Sequence, residues 1–155
     1  MLRLRFRLFE FDSVRVLYVI IFVYPYHLDA SDGLYQRKSV LVYFDFLTQN
    51  PSFVRILLWE NLNGATVLKQ SGESNLKAVA IDLITGVIAR GKEQGVFRKD
   101  ADEYQVTLSL LNFAFSYFAN IHTLSYVLSS DLLDSDKISE RADFISDILI
   151  KYLSK

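Results

Sequence analysis

The sequence predicts an all-α protein: an antiparallel helical bundle over residues 34–155, preceded by a segment of different character over residues 1–33. Three observations carry this reading. Beyond residue 34 the apolar residues recur at i, i+3, i+4 and i+7, the spacing of one face of an α-helix. Asn-Pro, Asn-Gly and Ser-Gly pairs punctuate that pattern where helices would begin or end. The hydrophobic content, 51 % of 155 residues, gives a chain of this length a core that needs no covalent staple.

The helices follow in order. Leu34 to Gln49 carries Val40, Tyr43, Phe44 and Leu47 on one stripe. Asn50-Pro51 stops it and starts the next, because Asn is a favoured N-cap and Pro is favoured at the first helical position. That second helix, Pro51 to about Leu68, includes Phe53, Val54, Ile56, Leu57, Leu58 and Trp59, and Asn63-Gly64 is where it weakens or breaks. Ser74 caps a third helix, Asn75 to Gln94, and Gly95 suits the left-handed position past its end. Asp102 caps a fourth, Tyr104 to Ile121, which is apolar nearly all round and is therefore expected to meet the chain's own core on one face and a partner subunit on the other. A polar turn, Ser129 to Asp136, leads to an amphipathic last helix, Lys137 to Leu153.

Residues 1–33 obey another rule. Leu2, Leu4, Phe6 and Leu8 alternate with Arg3, Arg5 and Arg7, and Val14 to Tyr24 is rich in Val, Ile and aromatics. Period 2 and that composition favour extended strand, so an extended segment or β-hairpin is the local expectation. Glu10 and Asp12 fit poorly in a signal peptide, no Ala-x-Ala site follows, and the apolar run is too short to span a membrane. A non-native start to the chain is the reading we favour for this segment. Arg3, Arg5, Arg7 and Arg15 are then edge-strand protection rather than a phosphate or membrane contact.

Composition excludes several functions. With no cysteine there is neither a disulfide nor a thiolate site, and two histidines at 27 and 122 leave little for a metal. No phosphate loop, Gly-x-Ser-x-Gly or Gly-x-Gly-x-x-Gly is present, so no enzyme and no cofactor is expected. The net charge is −1, and residues 41–155 carry eleven Lys/Arg against fourteen Asp/Glu, which gives no general attraction to nucleic acid. Asp131, Asp134 and Asp136 lack the spacing of a calcium loop and are read as capping residues.

Several stretches, in order, resemble the regulatory half of TetR-type transcriptional regulators. They are Tyr43-Phe44-Asp45-Phe46-Leu47, Asn50-Pro51 with Phe53-Val54-Arg55, Leu58-Trp59-Glu60-Asn61-Leu62, and Gly95-Val96-Phe97-Arg98. Phe113 to Ser125, then Asp131-Leu132 and the last helix, resemble that family's dimerisation end. Upstream, Tyr26 to Tyr35 resembles the junction after its helix-turn-helix, with Leu28 and Ser31 where Phe and Lys are usual. Only residues 36–42 separate that junction from the Tyr43 stretch, so the chain reads as shortened and without the DNA-binding helices.

The resemblance implies a bacterial, cytoplasmic, small-molecule-sensing and dimer-forming domain, with a repressor's regulatory role and no direct DNA binding by this chain alone. The alternative is a helical interaction module with no ligand site, one able to heterodimerise with an intact regulator. A small apolar or amphipathic effector would meet Trp59, Asn63, Asn112, Tyr117, Asn120 and His122, the polar or amphipathic groups on apolar helices, with Tyr126 nearby in sequence. Each is more commonly a core or interface residue with its hydrogen bonds satisfied. A homodimer through the last two helices would bury Phe113, Phe118, Phe144, Ile145, Ile148, Leu149 and Tyr152. Glu60, beside Trp59, is expected on the helix surface, with a buried acid as the alternative, and Arg98 in a solvated turn, or closing on the helix dipole or an acidic partner.

Overall fold

The computed structural model describes residues 34–70, 85–86 and 88–155, all helix or turn, with no strand among them. The expected hairpin over residues 1–33 and most of the expected helix over residues 75–94 lie outside the described residues. The helices are α1 (Leu34–Gln49), α2 (Pro51–Leu62), α3 (Thr66–Gln70), α4 (Glu103–Ala119), α5 (Ile121–Leu128) and α6 (Ser135–Leu153). Residues 88–93 are also helical.

The predicted stripe of α1 is its buried face: Val40, Tyr43, Phe44 and Leu47 are all in the core. Phe46 is buried on another side, edge-on to Phe53 of α2 with centroids 5.1 Å apart. α1 therefore packs against α6, α4 and α2, most extensively against α6. The inner face of α6 is Ala142, Ile145, Ser146, Leu149 and Leu153. Ala142 and Ser146 are small, so the helix backbones can approach, and the Ser146 hydroxyl is satisfied by donating to Ala142 O at 2.8 Å. Phe44 also meets Tyr117 and Phe118 of α4, at 6.0 and 5.4 Å between centroids. The core is dry enough that burial pushes the Tyr43 hydroxyl up to about 12.

Helix ends follow local chemistry, with three departures from expectation. α2 stops at Leu62 rather than Leu68, because Gly64 and Ala65 take left-handed φ values of 64° and 57°. Asn50 does not cap α2; its Nδ2 donates back to Phe46 O at 2.8 Å and closes α1 instead. The expected fourth helix ends at Ala119 rather than Ile121, and a further helix that was not expected follows it. Asn120 breaks the apolar run with its Nδ2 on Ser116 O at 2.9 Å, and α5 starts afresh at Ile121. In the single chain α4 has Tyr104 and Leu108 exposed. Asp102 does cap α4, accepting from Gln105 N at 3.0 Å, and Asp134 caps α6, accepting from Asp136 N at 2.9 Å.

The turn at Gly95 sets the path into α4. Gly95 has φ 74°, its N–H reaches Lys92 O, and Val96 N–H reaches Gly91 O, which is the Schellman closure of a helix. Phe97 then turns into the core and lies over Gly91, where an added Cβ would collide with its ring. Gly to Ala inside a helix ordinarily stabilises by about 0.5–1 kcal/mol. Here the collision wins, and Gly91→Ala is expected to lose about 1–3 kcal/mol in urea unfolding. A gain in stability would show that Phe97 does not occupy this position.

Candidate functional site

Two regions carry chemistry or contact potential: the far end of α4 with the loop into α6, and the outward face of α6. Tyr117 is buried on α4, and its hydroxyl donates to Leu132 O at 2.7 Å. Leu132 N–H in turn donates to Ser125 Oγ at 3.1 Å. Both backbone groups of Leu132 are thus held by side chains from α4 and α5, which docks the loop before α6. Asp131 completes the turn by accepting from Leu133 N at 3.0 Å. Burial raises the Tyr117 hydroxyl above its ordinary range.

Of the other residues expected at an effector site, Asn63, Asn112, Asn120 and His122 are exposed, and Trp59 is half-exposed. Asn63 donates to Trp59 O at 2.7 Å and Asn120 to Ser116 O, so both serve helix ends. The described structure does not gather the six at one buried point; Tyr117 alone is inside. Tyr126 is largely exposed.

At Glu60 the alternative holds, a buried acid. It is 2 % exposed rather than on the surface. The break at Gly64 folds α3 back over the end of α2, and Leu68 N–H donates to Glu60 Oε2 at 3.2 Å. The signal in sequence was the Asn63-Gly64 pair, which returns the chain toward the preceding turn.

The residues expected at a dimer interface fall on two sides. Phe118, Ile145 and Leu149 are buried within this one chain, and Phe113 is half-buried. Phe144, Ile148 and Tyr152 are 56 %, 39 % and 43 % exposed and spaced by four, which forms one outward stripe on α6. Arg141 lies over Phe144 at 5.6 Å, and Arg98 over Tyr152 at 5.4 Å. Arg98 also pairs with Asp100, through Nε at 2.7 Å and Nη2 at 2.5 Å, and holds that carboxyl down to about 2. Its backbone N–H donates to Leu153 O at 2.8 Å, so the Gly95 turn is tied to the end of α6.

Residues 36–149 match the family described as "Tetracyclin repressor-like, C-terminal domain". The chain belongs to this family. The TetR-type domain is 31 % identical over 122 residues to the HTH-type transcriptional repressor NicS of Pseudomonas putida, an alignment covering 77 % of this chain and 57 % of that protein. The chain thus spans little more than half the length of the curated relative it matches. No solved structure matches significantly. Membership places the chain among C-terminal domains of the tetracycline-repressor-like type. Among the described residues, no helix is long and apolar enough to cross a membrane.

In this TetR-type domain two of the stretches that resemble the family have physical roles. Gly95-Val96-Phe97-Arg98 closes one helix, plugs the core and bonds to α6; Asp131-Leu132 is the loop that Tyr117 and Ser125 hold. If the Tyr117 hydroxyl serves that loop, Tyr117→Phe leaves a carbonyl unpaired and costs about 1–2 kcal/mol in urea unfolding. A variant as stable as its parent would show that the hydroxyl is free for another partner.

Proposed function

We propose that this domain forms a homodimer through its last two long helices, α4 and α6, and senses a small apolar or amphipathic effector within its helical body. The observation that carries the dimer is the stripe Phe144, Ile148 and Tyr152 on α6. α4 packs beside α6 and leaves Tyr104 and Leu108 outward as well. Exposed aromatic and aliphatic side chains at regular helical spacing suit a four-helix bundle between two subunits. Family membership supports the same reading.

Effector sensing rests on the family and on the relative, which is named as a repressor. Such a signal requires the effector to favour one of two arrangements of the dimer. Residues 41–155 are mildly acidic, so DNA contact by these helices themselves is not expected. The proposed setting is the bacterial cytoplasm, where repressors meet DNA.

One observation favours a second reading, a dimerising module with no effector site. Of the six residues expected to line a site, only Tyr117 is buried, and Leu132 uses its hydroxyl. A partner for such a module would be an intact regulator of the same family.

The interface has a direct test. Phe144→Asp with Ile148→Asp changes only exposed positions, so helical content by circular dichroism should stay within error. Sedimentation should show the parent as a dimer and the double variant as a monomer, its dimer dissociation constant weaker by about a hundredfold or more for two charges placed in an apolar interface. A double variant that remains dimeric would contradict this interface.

A further inference from the structure

Among the described residues, one buried carboxyl group is only half partnered. Glu60 Oε2 accepts the Leu68 N–H and so caps α3 from the preceding helix. Glu60 Oε1 is buried with no hydrogen-bond partner among the described residues, and no Lys or Arg of those residues pairs with it. Ile56 and Leu57, one turn earlier on the same face of α2, are half-buried and apolar, and Phe53 continues that face. A buried carboxylate oxygen without a donor is costly to keep. The cap alone does not require it, because a Gln would supply an acceptor to Leu68 N–H without burying a charge.

We infer that Glu60 is the recognition point for an organic cation with an apolar body, a protonated amine or similar N–H group whose donor meets Oε1 while its hydrocarbon part lies along the apolar face of α2. This rests on the effector-sensing reading above. It narrows the effector from any apolar molecule to one carrying a positive charge. Charge-assisted hydrogen bonds in apolar surroundings are the strong ones, so a single carboxylate can select for charge. A buried water would also satisfy Oε1, but it would leave no preference between a cation and its neutral isostere.

The test uses the full chain with three probes of one shape: benzylamine, cationic at neutral pH, benzyl alcohol and benzoate. Binding is read by calorimetry and by thermal shift, on the parent and on Glu60→Gln. Benzylamine should bind the parent at least about tenfold more tightly than benzyl alcohol or benzoate, and Glu60→Gln should lose about tenfold in benzylamine affinity. Should that variant fail to fold, the preference of the parent for cation over alcohol decides alone. Equal binding of benzylamine and benzyl alcohol by the parent overturns the assignment of Glu60 while leaving effector sensing supported. No saturable binding of any of the three overturns Glu60 and removes support from the sensing reading as well.

Discussion

The contact between α1 and α6 is the constraint on which the rest depends. Leu47 and Phe44 on one helix, and Ile145 and Ser146 on the other, are almost wholly excluded from water. Burying a large aliphatic or aromatic side chain is worth about 1.5–3 kcal/mol, so this seam carries a large share of the apolar driving force. Once Ala142, Ile145, Ser146 and Leu149 face α1, helical geometry places Phe144, Ile148 and Tyr152 on the other side. The outward stripe is thus a consequence of how the core is made.

The ends of that seam are fixed by backbone bonds. At one end, Arg98 N–H holds the last carbonyl of α6, that of Leu153, and Phe97 seats beside Gly91. At the other, Tyr117 and Ser125 hold Leu132 just before Asp134 begins α6. α6 is therefore clamped before its first turn and at its last. Lys92 and Glu103, paired at 2.5 Å, span the same Gly95 turn from helix to helix. A helix held at both ends and packed along its length suits the proposed role of passing a rearrangement between subunits.

Much of this was legible in the sequence wherever one local interaction decides the outcome. Gly95, Asp102, Asp134 and the Asn63-Gly64 break act within a turn of themselves, and the stripe of α1 is set by spacing alone. Other features depend on competition. At Asn50 and Asn120 the side chain could serve the helix behind or the helix ahead, and bonding back to the carbonyl four residues earlier prevails at both. The burial of Glu60 requires α3 to fold over it, which no period in α2 announces. The apolar arc of α6 is wider than the face α1 can cover, so residues 144, 145, 148 and 149 read alike in sequence. The small Ala142 and Ser146, which spacing rules pass over, mark the inner side.

The account holds that one chain leaves its last helix half covered and that a second copy completes it. The mass of the unaltered chain in solution, by light scattering after size exclusion across the micromolar range, tests this most directly. The prediction is a particle near twice 17.9 kDa. A single species at 17.9 kDa throughout that range would contradict it, and would mean that the stripe on α6 is covered from within the same chain.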